Sequence, residues 1–296
     1  MPPTPTAAVV GLGSMGGAMA LALRDAGWRV TGFDPSPDAR TRLGDEGVDT
    51  VESLEALAGI PHIVLSLPSA AIVETTVPSL VAQGAAAIVD TTTSEPATSA
   101  AMAELAARAG VSFVDAPVSG GRAGARAGTL SAFVGGSDAA VAAATPLLDA
   151  LTQGSYRRIG GPGTGNVVKL LNNILAAANL ATVGEALAVA HSYGIEPSVA
   201  AEGISGASGA SRASSASYPE WVLSGTFDSG FSLGLMARDA RLALDVAAAR
   251  GARPPLLDAV AGRWQDALAD LGADADFTEI ARTTAPDLFA AKESTR

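Results

Sequence analysis

Short apolar runs rich in β-branched residues alternate with longer helical stretches through the first half of the chain. The runs predict six strands, Ala7–Val10, Arg29–Phe33, Ile63–Ser66, Ala87–Asp90, Ser112–Asp115 and Leu130–Val134. Because strand–helix alternation is typical of a mostly parallel sheet with helices on both faces, we expect an amino-terminal α/β domain.

The strand pattern stops after a cluster of chain-breaking residues, Gly160-Gly161-Pro162-Gly163. This cluster predicts a boundary between an α/β domain, 1–163, and an all-α domain, 164–296. One long helix, from Gly165 to about Tyr193, would join the two domains. The later stretch from Ser205 to Ser217, rich in serine, alanine and glycine, fits either a helix or a mobile loop.

A glycine-rich turn follows the first predicted strand, and its glycines Gly11, Gly13 and Gly16 match the pattern G-x-G-x-x-G. The first glycine permits a tight turn, the second lets the backbone approach a pyrophosphate, and the third lets helix and strand pack closely. A helical stretch from Met15 to Ala26 follows, so the motif lies between a strand and a helix, as in dinucleotide-binding domains. We therefore expect a Rossmann-type dinucleotide-binding domain.

The second predicted strand is followed by an acidic residue, Asp34. A carboxylate at this place can accept hydrogen bonds from the adenosine ribose hydroxyls, and it would repel a 2′-phosphate. The sequence therefore favours NAD over NADP. Arg40 lies close enough in sequence to leave NADP open.

A second small-residue turn, Ser119-Gly120-Gly121, follows the strand that ends at Asp115. A serine hydroxyl and unhindered backbone N–H groups at the carboxyl end of a strand suit a carboxylate. The same residues also fit an ordinary glycine-rich turn.

The long predicted helix carries Gly165, Lys169 and Asn173 at a spacing of four residues, so the three share one face. Lysine occurs only twice in the chain, at Lys169 and Lys292, and arginine supplies the other basic positions. Lysine can lose its proton when buried whereas arginine stays charged, so Lys169 is a candidate general acid/base.

The chain resembles the β-hydroxyacid dehydrogenase family, and the resemblance extends over essentially its whole length. Four motifs carry it in order, Gly11–Gly16, Asp115–Gly121, Gly165–Asn173 and Phe231–Asp239. The family implies an NAD(P)-dependent oxidoreductase acting on a small 3-hydroxy acid such as 3-hydroxyisobutyrate.

The resemblance also implies a role for each matched residue. Lys169 would be the catalytic acid/base, and Asn173 would orient the lysine or the reacting hydroxyl. The substrate carboxylate would bind Ser119, Gly120 and Gly121. The cofactor would contact Gly11, Leu12, Gly13, Met15, Gly16, Asp34, Leu67, Pro68, Thr93 and Arg238. Arg238 stands where the family usually has lysine, which keeps the charge but changes its geometry.

Three other functions remain open on the sequence. An imine reductase using NADP and a decarboxylase related to 6-phosphogluconate dehydrogenase share the expected architecture, and a catalytically silent NAD-binding module would share the cofactor motif. Lys169 together with the Ser-Gly-Gly turn favours hydroxy-acid chemistry over imine reduction. No sugar-phosphate cluster supports the decarboxylase, and the Lys169/Asn173 pair with the acidic charge disfavours a silent module. Arg122 and Arg212 could each bind a second polar group of a substrate.

Composition narrows the partners further. The net charge of −11 disfavours nucleic acid, and the absence of cysteine excludes disulfides and thiolate metal sites. The two histidines, His62 and His191, have no metal-ligand spacing, so we expect no metal. No secretory signal or membrane span is predicted, which favours the cytoplasm. The apolar helices of the second half suggest a homodimer or homotetramer.

Overall fold

A nine-stranded sheet forms the centre of the first half of the protein, in a computed structural model that describes residues 4–289. Its strands, in chain order, are β1 Thr6–Val10, β2 Arg29–Phe33, β3 Asp49–Val51, β4 His62–Leu65, β5 Ala87–Asp90, β6 Ser112–Asp115, β7 Val118–Ser119, β8 Ser131–Gly135 and β9 Tyr156–Gly160. The strand order is β3-β2-β1-β4-β5-β6-β8-β7, with β9 paired to β8. Strands β1 to β6 are parallel, and β8 is antiparallel to both β6 and β7. The order 3-2-1-4-5-6 is that of a Rossmann domain, as the sequence predicts.

Helices connect the strands and continue beyond the sheet. Within residues 4–289 the α-helices are α1 Ser14–Asp25, α2 Pro37–Asp45, α3 Ala70–Ala82, α4 Pro96–Arg108, α5 Gly121–Ala127, α6 Asp138–Thr152, α7 Thr164–Ser192, α8 Pro197–Ser205, α9 Leu233–Ala248, α10 Pro255–Leu271 and α11 Ala281–Thr284. Short 3₁₀ helices cover Leu54–Leu57, Phe277–Ile280 and Pro286–Leu288, and a π-helix covers Ala213–Val222. The long helix expected from Gly165 is therefore present as α7. The stretch from Ser205 to Ser217 contains the end of α8, a turn and the start of the π-helix.

The chain divides into two compact units, Met1–Lys169 and Leu170–Arg296. The division falls inside α7, a few residues after the breaker cluster at which the sequence predicts a boundary. The first unit ends with Lys169 itself.

The first unit buries apolar side chains on both faces of its sheet. One cluster contains Val9, Met19 and Leu147, and the other contains Val10, Ile63 and Leu80. Val9 and Val10 are neighbours whose side chains point to opposite faces, as the period of two in a strand requires. Strands buried on both faces explain why the sequence shows continuous apolar runs here.

The second unit packs around two fully buried aromatic residues. The Trp264 indole N–H donates to the carbonyl oxygen of Ala177 at 3.3 Å, and the Tyr218 hydroxyl donates to that of Leu180 at 3.0 Å. Both rings thereby bury their area without leaving a polar group unpaired. Burial raises the pKa of the Tyr218 hydroxyl, so it stays a hydrogen-bond donor.

Candidate functional site

The loops that carry the predicted motifs begin at the same level of the sheet. Val10 of β1 pairs with Leu65 of β4, Leu65 pairs with Asp90 of β5, and Asp90 pairs with Asp115 of β6. These four residues are the last of their strands. Since ligands of open parallel sheets bind outside the carboxyl ends of the strands, this edge is the candidate site of the first unit.

Two of the three glycines in the turn after β1 lie in close contact with other backbone atoms. Gly11 has φ +91°, and a Cβ there would lie 2.2 Å from the carbonyl oxygen of Ser66. A Cβ at Gly16 would lie 1.8 Å from the carbonyl oxygen of Gly11, whereas one at Gly13 would meet no atom within 4 Å. Helix α1 and the turn therefore pack against each other at Gly11 and Gly16, and the backbone at Gly13 faces open space. This arrangement fits a pyrophosphate beside the first turn of α1.

Asp34 follows β2 and is already held by the backbone. Its Oδ2 accepts a hydrogen bond from the N–H of Leu12 at 2.7 Å, and its Oδ1 accepts one from the N–H of Ser36 at 2.8 Å. A carboxylate has about four lone-pair sites, so each oxygen can still accept a ribose hydroxyl. The Leu12 N–H is thus engaged by Asp34, while the Leu12 side chain is fully buried.

Two arginines of α2 lie at the same end of the site. Arg40 donates to the carbonyl oxygens of Asp34 at 2.8 Å and Pro35 at 3.1 Å. Arg42 donates to the carbonyl oxygen of Leu12 at 2.8 Å. Arg42 is not predictable from the sequence, because no local pattern connects it with a turn thirty residues earlier.

Hydrogen bonds connect the loops after β4 and β5, which carry residues expected to line the cofactor. The Leu67 N–H donates to the Thr92 hydroxyl oxygen at 3.1 Å, and the Thr91 hydroxyl donates to the carbonyl oxygen of Leu65 at 2.6 Å. Pro68 is exposed and Thr93 is half-buried, so both face the open edge of the sheet more than their neighbours do.

The Ser-Gly-Gly turn lies between β7 and α5. Ser119 ends β7 and is half-buried, and Gly120 and Gly121 have φ values of +132° and +61°. A Cβ at Gly121 would meet no atom within 4 Å. N–H groups in the first turn of a helix have no intrahelical partner, so the turn offers hydrogen-bond donors beside open space.

Lys169 lies near the start of α7 and is 8% exposed. Asn173 follows one helical turn later on α7 and is 6% exposed. Within the second unit, the Asn173 Nδ2 donates to Oδ2 of Asp239 at 2.7 Å, and Arg238 donates to Oδ1 of Asp239 at 2.8 Å. Asp239 ends one of the four motifs, but the motif alone predicts no role for its side chain.

Two buried carboxyl groups were also missed. Asp90 and Asp115 are both fully buried at the ends of their strands. Burial raises the pKa of Asp90 to about 7, the hydrogen bonds from Thr92 act in the opposite direction, and Asp115 adds a smaller rise. Burial also raises the pKa of Asp115, opposed by backbone N–H groups that include those of Gly163 and Asn166.

No group of three or more histidine, aspartate or glutamate side chains between residues 4 and 289 is arranged to hold a metal ion.

Two family models cover most of the chain. Residues 6–161 match the model described as the NAD-binding domain of 6-phosphogluconate dehydrogenase. Residues 163–284 match the model described as NAD-binding of NADP-dependent 3-hydroxyisobutyrate dehydrogenase.

Characterised relatives align over most of their own length. A 2-(hydroxymethyl)glutarate dehydrogenase of Eubacterium barkeri is 36% identical over 242 residues, covering 80% of each chain. A 3-hydroxyisobutyrate dehydrogenase of Pseudomonas aeruginosa is 37% identical over 261 residues, covering 84% of this chain and 87% of the relative. The solved structure of Mycobacterium tuberculosis 3-hydroxyisobutyrate dehydrogenase with L-serine has a TM-score of 0.87 at 32% identity, covering 95% of this chain and 99% of that one.

Proposed function

The chain belongs to the β-hydroxyacid dehydrogenase family of NAD(P)-dependent oxidoreductases, and we propose that it oxidises a small 3-hydroxy acid with Lys169 as the acid/base. One observation carries this proposal. Lys169 is buried in the same compact unit as the glycine-rich turn and the Ser-Gly-Gly turn, and no other residue between 4 and 289 is a lysine.

In the proposed reaction the ε-amino group of Lys169 accepts the proton of the substrate hydroxyl. The bound nicotinamide cofactor supplies the hydride acceptor, and the product is an aldehyde or ketone acid. Reduction would use the same steps in reverse, with protonated Lys169 as the donor. The residues of the chain contribute positioning, exclusion of water and proton transfer at Nζ.

Ser119, Gly120 and Gly121 would bind the substrate carboxylate. The support for this role is the open space beside Gly121 and the hydrogen-bond donors of the first turn of α5. Arg122 follows directly and is exposed, so it could meet a second acidic group on a larger substrate. The E. barkeri relative is named for such a dicarboxylate, and the P. aeruginosa relative for a monocarboxylate.

Asn173 would orient the reacting hydroxyl or the lysine. Its amide N–H donates to Asp239 and its oxygen accepts the side-chain N–H of Asn172 at 3.2 Å, so the direction of the amide is fixed. The second lone pair of the Asn173 oxygen would accept the reacting hydroxyl or the lysine. Arg238 holds the same carboxylate from its other side.

NAD would be preferred to NADP because Asp34 presents a carboxylate where a 2′-phosphate would lie. Arg40 donates to the backbone carbonyl oxygens of Asp34 and Pro35. These bonds support a structural role for Arg40 in the loop after β2 rather than a role as a phosphate ligand.

We expect a cytoplasmic homo-oligomer. Helix α7 is long and apolar enough to cross a membrane by length and composition, but it carries Lys169 and places Leu170, Ile174 and Leu180 in buried clusters. Exposed apolar side chains in α7, α8 and their connection would be covered by a second copy: Leu171, Leu175, Val189, Tyr193, Ile195 and Val199.

The proposal is tested with Lys169→Ala and Lys169→Arg. Hydride transfer from a panel of small 3-hydroxy acids, including 3-hydroxyisobutyrate, is followed by NADH absorbance with NAD and NADP in parallel. General acid–base catalysis contributes about 10²–10⁴-fold, so both variants should lose at least about 10²-fold in kcat. Wild-type oxidation should rise with pH because the neutral amine is the base, and this rise should be absent from Lys169→Arg.

Binding and folding are measured alongside the rates. NADH affinity should stay within several-fold of wild type in both variants, and the unfolding temperature is measured to establish that each variant folds. Arg108→Ala, which removes an exposed cation, serves as the control. Near-normal kcat in Lys169→Arg would show that fixed positive charge suffices, and proton transfer by Lys169 would be excluded.

A further inference from the structure

Buried polar groups that the proposed chemistry does not use join the start of α7 to the end of β6. Asp115 Oδ1 accepts the N–H of Gly163 at 2.7 Å, and Oδ2 accepts the N–H of Asn166 at 3.0 Å. The first N–H groups of a helix have no intrahelical partner, so Asp115 caps α7 from a neighbouring strand. This cap fixes the place at which the helix begins.

Asn166 connects the same turn of α7 to two other segments. Its Nδ2 donates to the hydroxyl oxygen of Ser99 in α4 at 3.0 Å, and its Oδ1 accepts the N–H of Ser94 at 3.0 Å. Asn166 and Ser99 are both fully buried. Ser94 directly follows Thr93, which is expected to line the cofactor. One carboxamide therefore links the helix that carries Lys169 to the loop that carries Thr93.

Glycines around Asp115 let the backbones approach closely. A Cβ at Gly165 would lie 2.3 Å from the carbonyl oxygen of Phe133, and a Cβ at Gly135 would lie 2.4 Å from Oδ1 of Asp115. A Cβ at Gly163 would lie 2.4 Å from the carbonyl oxygen of Pro96. Two of these three contacts are with backbone atoms, which cannot rotate away. The start of α7 is therefore packed too tightly to shift without breaking hydrogen bonds.

We propose that Asp115 and Asn166 are positioning residues that set the place of the Lys169 amine relative to the cofactor-lining loop after β5. Lys169 follows Asn166 by three residues, so the two lie on neighbouring positions of one side of α7. The inference rests on the proposed role of Lys169 as acid/base. Displacement of a catalytic group by about 1 Å can cost about 10²-fold in rate.

Asn166→Ala tests the bridge, since it removes both side-chain hydrogen bonds and keeps the helix. With the best hydroxy acid of the panel, kcat should fall by about 10–100-fold, while KM and NADH affinity stay within several-fold. The primary isotope effect on kcat, measured with substrate deuterated at the carbinol carbon, should increase because hydride transfer becomes slower than product release.

The matched control is Ser137→Ala, which removes the side-chain cap of α6 in the same unit. It should lower the thermal stability without changing kcat or the isotope effect. If Asn166→Ala does not fold, Ser99→Ala removes one of the two bonds and should show a smaller loss of kcat of the same kind.

The outcomes separate this inference from the proposed function. Unchanged kcat and isotope effect in a folded Asn166→Ala protein, with Lys169→Ala inactive, would overturn the positioning role alone. An active Lys169→Ala protein would overturn the acid/base role and the inference together. A kcat loss with a raised isotope effect in Asn166→Ala, absent from Ser137→Ala, supports the inference.

Discussion

Asp90 makes the stability of the protein depend on pH in a direction that the structure fixes. Its Oδ1 accepts the N–H of Thr92 at 3.0 Å, and its buried Oδ2 has no hydrogen-bond partner among residues 4–289. Full burial disfavours the charged form and raises the pKa to about 7 from an ordinary value of 3.8.

The size of the effect follows from the difference between these two values. The difference is about three pH units, and one unit corresponds to about 1.4 kcal/mol, so the total is about 4 kcal/mol. In the unfolded chain Asp90 ionises near pH 3.8, whereas in the folded protein it keeps its proton to about pH 7. The folded state therefore binds more protons between these values, and the free energy of unfolding falls as the pH rises. This loss of unfolding free energy is absent below about pH 4 and complete above about pH 7.

Asp90→Asn keeps the shape of the side chain and removes the titration. Urea unfolding of wild type and variant, measured at intervals from pH 4 to 8, gives the difference in unfolding free energy at each pH. From pH 4 to pH 8 the stability of Asp90→Asn relative to wild type should increase by up to about 4 kcal/mol. Asp149→Asn, at an exposed position on α6, serves as the control for the substitution itself. Parallel curves for wild type and Asp90→Asn would refute a neutral buried carboxyl group at Asp90.

Three further substitutions test the cofactor and substrate turns. Gly16→Ala should lower the free energy of unfolding by about 1–3 kcal/mol or more and abolish NADH binding, because the added Cβ meets a backbone oxygen. The control is Gly17→Ala, whose Cβ would lie 3.4 Å from the nearest atom. Calorimetry should show that this variant keeps both its stability and its NADH binding. Gly121→Val should raise the substrate KM and leave the NADH affinity unchanged. The control Gly110→Val, which has a similar positive φ and equally open surroundings, should leave KM unchanged. Equal effects of the two substitutions on KM would contradict a carboxylate site at Gly121. Asp34→Ala should shift the kcat/KM ratio towards NADP, and an unchanged ratio would remove Asp34 as the determinant.

Four of the six strands that the sequence predicts, β1, β4, β5 and β6, are buried on both faces of the sheet. Val9, Val64, Val89 and Val114 lie in these four strands, and their apolar neighbours make each run recognisable. The missed strands β3, β7 and β9 are short or exposed, and two central residues of β9 are exposed arginines. Pairing with a neighbouring strand, which no local pattern records, makes these segments strands.

Some residues of the candidate site are predictable from the sequence around them, whereas others depend on contacts with residues far away in the sequence. The roles of Gly11 and Gly16 are predictable because they depend on steric contacts within a few residues and one neighbouring strand. Asp115 and Asn166 lie 51 positions apart, and Asn166 and Ser94 lie 72 apart, so their hydrogen bonds exist only in the folded chain. A buried aspartate at a strand end gives no local signal of the helix that it caps.

Arg238 shows how a departure from a family pattern can be understood from contacts. Its Nε and Nη2 lie 3.0 Å and 2.8 Å from Oδ1 of Asp239, which leaves Oδ2 of that carboxylate to accept the Asn173 amide. Asp239 is 2% exposed at its side chain, so an unpaired charge there would be costly, and a cation beside it offsets that cost. Any basic residue at position 238 that reaches Oδ1 meets this requirement, and the guanidinium meets it with two N–H groups. The contact with Asp239 therefore accounts for a positive charge at position 238, and the direction of the Asn173 amide depends on the same carboxylate.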